Sequence, residues 1–90
     1  MKICKHCLIT GKVQGVFYRQ TTQEKAKALG LTGWVRNLPN GSVECVICGD
    51  EDAVQSLCDW LWLGSDAANV TDVKVNEHDL EVYQDFSIRF

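Results

Sequence analysis

Two stretches of this 90-residue chain carry apolar residues at helical spacing, and strand-like alternation brackets each of them. Tyr18, Thr22, Ala26 and Leu29 form the first stripe, with Gln20, Glu24, Lys25 and Lys27 off it; Val54, Leu57, Cys58 and Leu61 form the second. A period of 3.6 places side chains on one face of a helix, and a period of two places them on one face of a strand. A chain this short has room for one hydrophobic core. Both helices must therefore bury their stripes against a shared sheet.

The strands follow from the same alternation. Met1 to Thr10 reads as the first, with Cys7 and Ile9 on one face, and Gly11 to Gly15 reads as a loop. Gly30 stands where the first helix should stop in the left-handed conformation. Gly33 to Asn37 is a short strand, and Leu38-Pro39-Asn40-Gly41 is a turn with Pro second, Asn third and Gly closing. Ser42 to Cys48 alternates with Val43, Cys45 and Ile47 on one side, so strand, turn and strand make a hairpin. Asp50 is a candidate N-cap for the second helix, with Glu51 and Asp52 favourable in its first turn. Gly64 to Asn69 is loop, and Val70 to Val75 and Phe86 to Phe90 are strand-like. The order is β-α-β-β-α-β, with a further strand at the C-terminus. It predicts an α+β domain over 1–90, a ferredoxin-like split βαβ sandwich with two helices on one face of an antiparallel sheet. Such a fold hosts many functions and decides none.

Charge narrows the partners. Residues 1–43 hold seven basic residues and one acid, net +6; residues 44–90 hold two basic residues and eleven acids, net −9, which together give the chain's −3. An acidic chain is a poor candidate for sequence-independent nucleic-acid binding, although the basic half can form a local anion site. Lys2, Lys5 and His6 interrupt the N-terminal apolar residues, so neither a membrane span nor a signal peptide is expected, and the cytoplasm is the expected compartment.

The segment that carries chemistry is Gly11-Lys12-Val13-Gln14-Gly15-Val16-Phe17-Tyr18-Arg19, between the first strand and the first helix. A glycine-bearing loop that feeds a helix N-terminus presents several backbone N–H groups at one point, with the helix dipole behind them, and such a point binds an oxyanion. Arg19 adds a planar, permanently charged fork that matches phosphate oxygens in pairs.

This nonapeptide resembles the signature of the acylphosphatase family. Gly33-Trp34-Val35-Arg36-Asn37 with Gly41-Ser42-Val43-Glu44 resembles its second element, and Phe86-Ser87-Ile88-Arg89-Phe90 its closing strand. Tyr18 stands where many members have Phe. The resemblance implies hydrolysis of a small acyl phosphate to carboxylate and inorganic phosphate, with no metal and no cofactor. It implies a backbone cradle over Gln14, Gly15, Val16, Phe17 and Tyr18, a phosphate-binding Arg19 and a water-positioning Asn37. It further implies that phosphate or sulfate competes for the site, and a monomer is expected. The residue chemistry agrees: a carboxylate leaving group needs no strong acid, so the protein must position the reactants and stabilise phosphoryl charge. An amide side chain accepts from a water through its oxygen and donates through its NH₂.

Other readings compete. A regulatory module of the same fold needs no water-orienting amide. Cys4-x-x-Cys7 and Cys45-x-x-Cys48 have the spacing of a zinc site, but residues three apart on a strand point to opposite faces. If the first and third strands pair antiparallel, one register sets Cys4 opposite Cys48 and Cys7 opposite Cys45. Cys7 and Cys45 then lie in the core, while Cys4 and Cys48 meet on the open face, within disulfide reach and open to oxidant. Trp34 is expected in or beside the core. Trp60 and Trp62, two apart on a helix, cannot share a face. His6 and His78 read as surface residues.

Overall fold

The computed structural model of the chain describes residues 1–90. Strand β1 spans Lys2–Lys12, helix α1 Tyr18–Ala28, β2 Thr32–Asn37, β3 Val43–Asp50, α2 Glu51–Leu61, β4 Asn69–His78 and β5 Phe86–Arg89. The five strands form one sheet in the order β4-β1-β3-β2-β5. β1 pairs antiparallel with β3 and β4, and β2 pairs antiparallel with β3. β5 runs parallel to β2, so the sheet is mixed rather than wholly antiparallel. The direction follows from chain path. β4 ends at His78 beside Cys4, and β2 begins at Thr32, opposite Cys48, at the same end of the sheet. A strand that starts there and takes the free edge of β2 must run in the direction of β2.

Both helices cover one face. The second stripe is buried as the spacing predicts, with Val54, Leu57, Cys58 and Leu61 against Cys7, Ile9, Val35, Cys45 and Ile47 of the sheet. Tyr18, Thr22 and Ala26 of the first stripe are buried, but Leu29 is not. α1 ends at Ala28, Gly30 takes φ 71° and reverses the chain, and Leu31 turns back into the core while its N–H donates to Ala26 O at 2.9 Å. Leu31 thus fills the place expected of Leu29. Asp50 occupies the N-cap position of α2 without a side-chain capping bond, its carboxylate lying 3.5 Å from Lys2 Nζ.

The opposite face is not open. Cys4, Trp34, Val46 and Cys48 form a second buried cluster, with Tyr83 packed on it. The crossover 79–85 covers this end of the sheet: Glu81 N–H donates to Cys4 Sγ at 3.4 Å, and Trp34 Nε1 donates to Tyr83 Oη at 3.3 Å. Cys4 faces Cys48 with Cα atoms 4.1 Å apart and sulfurs in bonding contact, and Cys7 faces Cys45 in the same register. The exposure to oxidant expected of Cys4 and Cys48 is corrected by the crossover, which leaves them 2% and 4% accessible. The sheet separates the four cysteines two to a face, which a four-sulfur zinc site does not tolerate. His6 and His78 are half-buried rather than surface residues, their rings stacked at 6.4 Å and His6 Nε2 2.7 Å from Glu44. Trp60 packs near Tyr18, and Trp62 is exposed. No helix is long and apolar enough to cross a membrane.

Candidate active site

The loop from Val13 to Phe17 turns the chain from β1 into α1 with two residues at positive φ. Gly15 takes φ 73°, and Phe17 takes φ 62°, ψ 22° as the residue that precedes the helix. No side chain caps α1, and no acid lies in its first turn. The first main-chain bond of the helix runs from Thr21 N–H to Phe17 O at 3.0 Å, and the N–H groups of Gly15 to Gln20 donate to no main-chain carbonyl. Uncapped donors at a helix N-terminus carry partial positive charge and favour an anion.

A cavity of about 320 Å³ opens at this point, lined by Gly15, Phe17, Tyr18, Arg19 and Asn37 among others. Arg19, on the first turn of α1, and Asn37, at the end of β2, are thus brought to one place from opposite ends of the α1–β2 stretch. Arg19 Nη1 donates to Arg89 O at 3.3 Å, and its guanidinium carbon lies 5.0 Å from the centre of the Phe90 ring. Asn37 Oδ1 is buried with no hydrogen-bond partner in the chain. A buried amide oxygen without a donor is costly, and here the same residue lines the cavity.

The residues expected in the cradle divide. Gly15, Phe17 and Tyr18 line the cavity, whereas Gln14 and Val16 do not. Gln14 Nε2 instead donates to Leu38 O and Ser42 O, both at 2.8 Å, across the mouth of the hairpin where Leu38 N–H donates to Ser42 O. Gln14 fastens the loop to the hairpin that carries Asn37. Val16 is buried and its carbonyl accepts from Ser65 Oγ at 2.6 Å. The Tyr18 ring points away into the core, and its hydroxyl donates to Leu61 O at 2.7 Å. Burial pushes the Tyr18 phenol well above its ordinary value, so it remains a neutral donor.

Ile88 and Phe90 of the C-terminal segment also line the cavity, as do Val13 and Gln20. The alternation of Phe86, Ile88 and Phe90 marked a strand, but nothing in it showed that this strand would lie along the edge beside α1.

The acylphosphatase family model matches residues 5–88. The chain is 48% identical over 86 residues to an acylphosphatase of Coxiella burnetii (strain Dugway 5J108-111), which covers 96% of this chain and 90% of that protein. It is 47% identical over 89 residues to an acylphosphatase of Nitrosococcus oceani, covering 99% of this chain and all of that protein. The fold superposes on the structure of an acylphosphatase from Coxiella burnetii with a TM-score of 0.95 and 46% identity, over 98% of this chain and 93% of that one. It superposes on the crystal structure of acylphosphatase from Bacillus subtilis with a TM-score of 0.94 and 37% identity, over the whole of both chains. With fold, motif positions and near full-length identity in agreement, the chain belongs to the acylphosphatase family.

Proposed function

We propose that the chain hydrolyses small acyl phosphates to a carboxylate and inorganic phosphate without a metal ion. Phosphoryl oxygens sit against the free N–H groups at the start of α1 and the fork of Arg19. Asn37 Oδ1 accepts a hydrogen bond from a water and aims its oxygen at phosphorus. The water–phosphorus bond forms as the bond between phosphorus and the acyl oxygen breaks, and the carboxylate departs with that electron pair. The protons of the water end on phosphate oxygens and solvent, so no side chain need act as a base. The N–H donors and Arg19 stabilise charge on the equatorial oxygens throughout.

The observation that carries this reading is the partnerless Asn37 Oδ1 at the same cavity as Arg19. A domain that only bound an anion would have no use for a buried acceptor beside its positive groups. None of the residues that line the cavity is acidic, so the site offers no carboxylate to hold magnesium. All the groups named come from one chain, so a single copy is sufficient.

Release of inorganic phosphate from acetyl phosphate, measured with a chelator present, tests the proposal. Turnover should persist, and free phosphate or sulfate should inhibit it competitively. Loss of turnover in chelator, restored by a divalent ion, overturns the metal-free mechanism.

A further inference from the structure

Ser65, in the loop after α2, reaches the loop that precedes α1, and its Oγ donates to Val16 O at 2.6 Å. The side chain is buried, and neither Ser65 nor Val16 lines the cavity, so this bond lies behind the site rather than in it. The loop that carries Ser65 is closely fitted to the start of α1. Tyr18 Oη donates to Leu61 O at 2.7 Å, and Gly64 approaches the Tyr18 ring so nearly that a Cβ there would lie 2.7 Å from it. Ser65 O accepts from Ala68 N–H at 3.0 Å, which closes the turn. Ser65 therefore presents a fixed donor.

That donor selects one orientation of a peptide group. The chain has no cis peptide bond, and in a trans peptide the C=O and N–H point to opposite sides. With the Val16 carbonyl turned back to Ser65, the Phe17 N–H is turned the other way, and Phe17 borders the cavity. The Phe17 N–H donates to no main-chain carbonyl. Local preference opposes this orientation. Phe17 takes φ 62°, the only positive φ outside glycine, and a residue with a Cβ is strained there. Turning the peptide over changes ψ of Val16 and φ of Phe17 together, and relieves the strain by returning Phe17 to negative φ. The same turn would withdraw the N–H from the cavity and face a carbonyl oxygen towards it.

We infer that Ser65 is a positioning residue for the phosphate site: its bond to Val16 O holds the strained Val16–Phe17 peptide with the N–H aimed at phosphoryl oxygens. The inference rests on the anion cradle proposed above and names what keeps it in its binding conformation.

The test compares wild type, Ser65→Ala, Phe17→Gly and the double variant, each checked for folding by thermal melting. Calorimetry gives the Kd of inorganic phosphate, and steady-state kinetics on acetyl phosphate give kcat and KM. In Ser65→Ala the binding-competent orientation becomes a minor one, so Kd and KM should rise by the inverse of its population. The rise should be about fivefold to thirtyfold, the ratio that left-handed strain on one residue with a Cβ sets. At saturation the bound phosphate restores the orientation, so kcat should stay within about threefold of wild type. Glycine takes either orientation with similar ease, so in the Phe17→Gly background Ser65→Ala should raise Kd only about twofold. In wild type alone, saturating phosphate should shift the Phe17 amide resonance downfield as that N–H gains an acceptor. A bound phosphate with Kd unchanged in Ser65→Ala, an equal rise in both backgrounds, or a silent Phe17 amide overturns the inference and leaves the hydrolysis standing. Absence of turnover with a phosphate Kd that still depends on Ser65 supports the positioning role and sinks the proposed reaction.

Discussion

Arg19 Nη1 donates to the main-chain carbonyl of Arg89 across 70 residues of sequence, at 3.3 Å. The guanidinium at the start of α1 is therefore steadied by the last strand of the sheet, with the Phe90 ring against it. The fork has five N–H donors, so it can keep this bond and still present a pair to phosphate oxygens. An ammonium is a point charge and cannot hold both geometries at once.

Arg19→Ala should accordingly lose both substrate affinity and rate, because guanidinium contacts exist in ground and transition states. Arg19→Lys should recover part of the affinity but remain at least roughly tenfold below wild type in kcat/KM, since one well-placed donor is commonly worth about 10²–10³ in rate. Steady-state kinetics with phosphate inhibition constants separate the two effects. A lysine variant with wild-type kinetics shows that charge alone suffices and the fork does not matter.

Asn37→Ala should behave differently. Its Oδ1 makes no bond within the chain, so thermal stability should change by less than about 1 kcal/mol, the worth of a typical hydrogen bond. Turnover should fall roughly 10²–10³-fold, while inhibition by inorganic phosphate persists. Near-normal turnover, or a loss of phosphate binding as complete as that of Arg19→Ala, contradicts the water-positioning role.

Gln14 links the cradle loop to the hairpin through two carbonyls at the mouth of the turn. Gln14→Ala removes both bonds and should cost roughly 1–3 kcal/mol in urea denaturation. Gln14→Glu should cost more, because an acceptor-only carboxylate then faces two carbonyl oxygens. Because Asn37 precedes Leu38 in the chain, turnover should also fall, by less than in Asn37→Ala. Unaltered stability in both variants would falsify the tether.

Glu44, which is not among the residues that line the cavity, supplies a separate pH dependence. Burial pushes its carboxyl up, but hydrogen bonds from His6 and Arg36, each at 2.7 Å, outweigh burial and hold it below its ordinary value of 4.5. A group whose folded value is depressed stabilises the protein above the unfolded value, and that contribution fades as pH falls through the folded one. The stability gap between wild type and Glu44→Gln should be full at pH 6 and shrink below pH 4.5. Denaturant midpoints at pH 6, 5, 4 and 3 measure it, and a gap independent of pH removes Glu44 from the acid limb.

Local periodicity revealed most of the fold because each helix has a single apolar stripe and each central strand a clean alternation. The pairing of Cys4 with Cys48 and of Cys7 with Cys45 was readable for the same reason, since one register serves both faces. Arg19 and Asn37 could be named from motifs, but their meeting at one cavity is a property of the folded sheet. What local pattern does not encode is how a chain crosses a sheet. The path over 79–85 sets β5 parallel to β2, buries Cys4 and Cys48, and carries Ile88 and Phe90 to the site. Leu29 failed as a core residue because the Gly30 reversal transferred that place to Leu31. Gln14 was named for its backbone, whereas its side-chain role appears only once the hairpin lies beside the loop.

The cysteines offer a last test, in which burial rather than spacing decides the outcome. Cys4 and Cys48 lie beneath Glu81 and Trp34, so native reduced protein should alkylate there only on local opening of the crossover, far more slowly than an exposed thiol. Air oxidation should still link them, because their register needs no backbone movement. Cys7 and Cys45 are opposed in the same way but sit under the helices, where Cys7 Sγ also approaches Cys58 Sγ at 3.9 Å. A hydrogen bond with Cys45, and then burial, push the Cys7 thiol well above its ordinary value, so it yields little thiolate to attack or exchange. The bond across a sequence separation of 44 should stabilise the oxidised protein by about 2–4 kcal/mol, the upper figure being the chain-entropy value for a loop of that size. Peptide mapping of oxidised protein should give a Cys4–Cys48 linkage with Cys7, Cys45 and Cys58 recovered as thiols after unfolding. Free Cys4 in that sample, or a linked Cys7–Cys45 pair, defeats the assignment, and a reductant that leaves the melting temperature unchanged defeats the stabilisation.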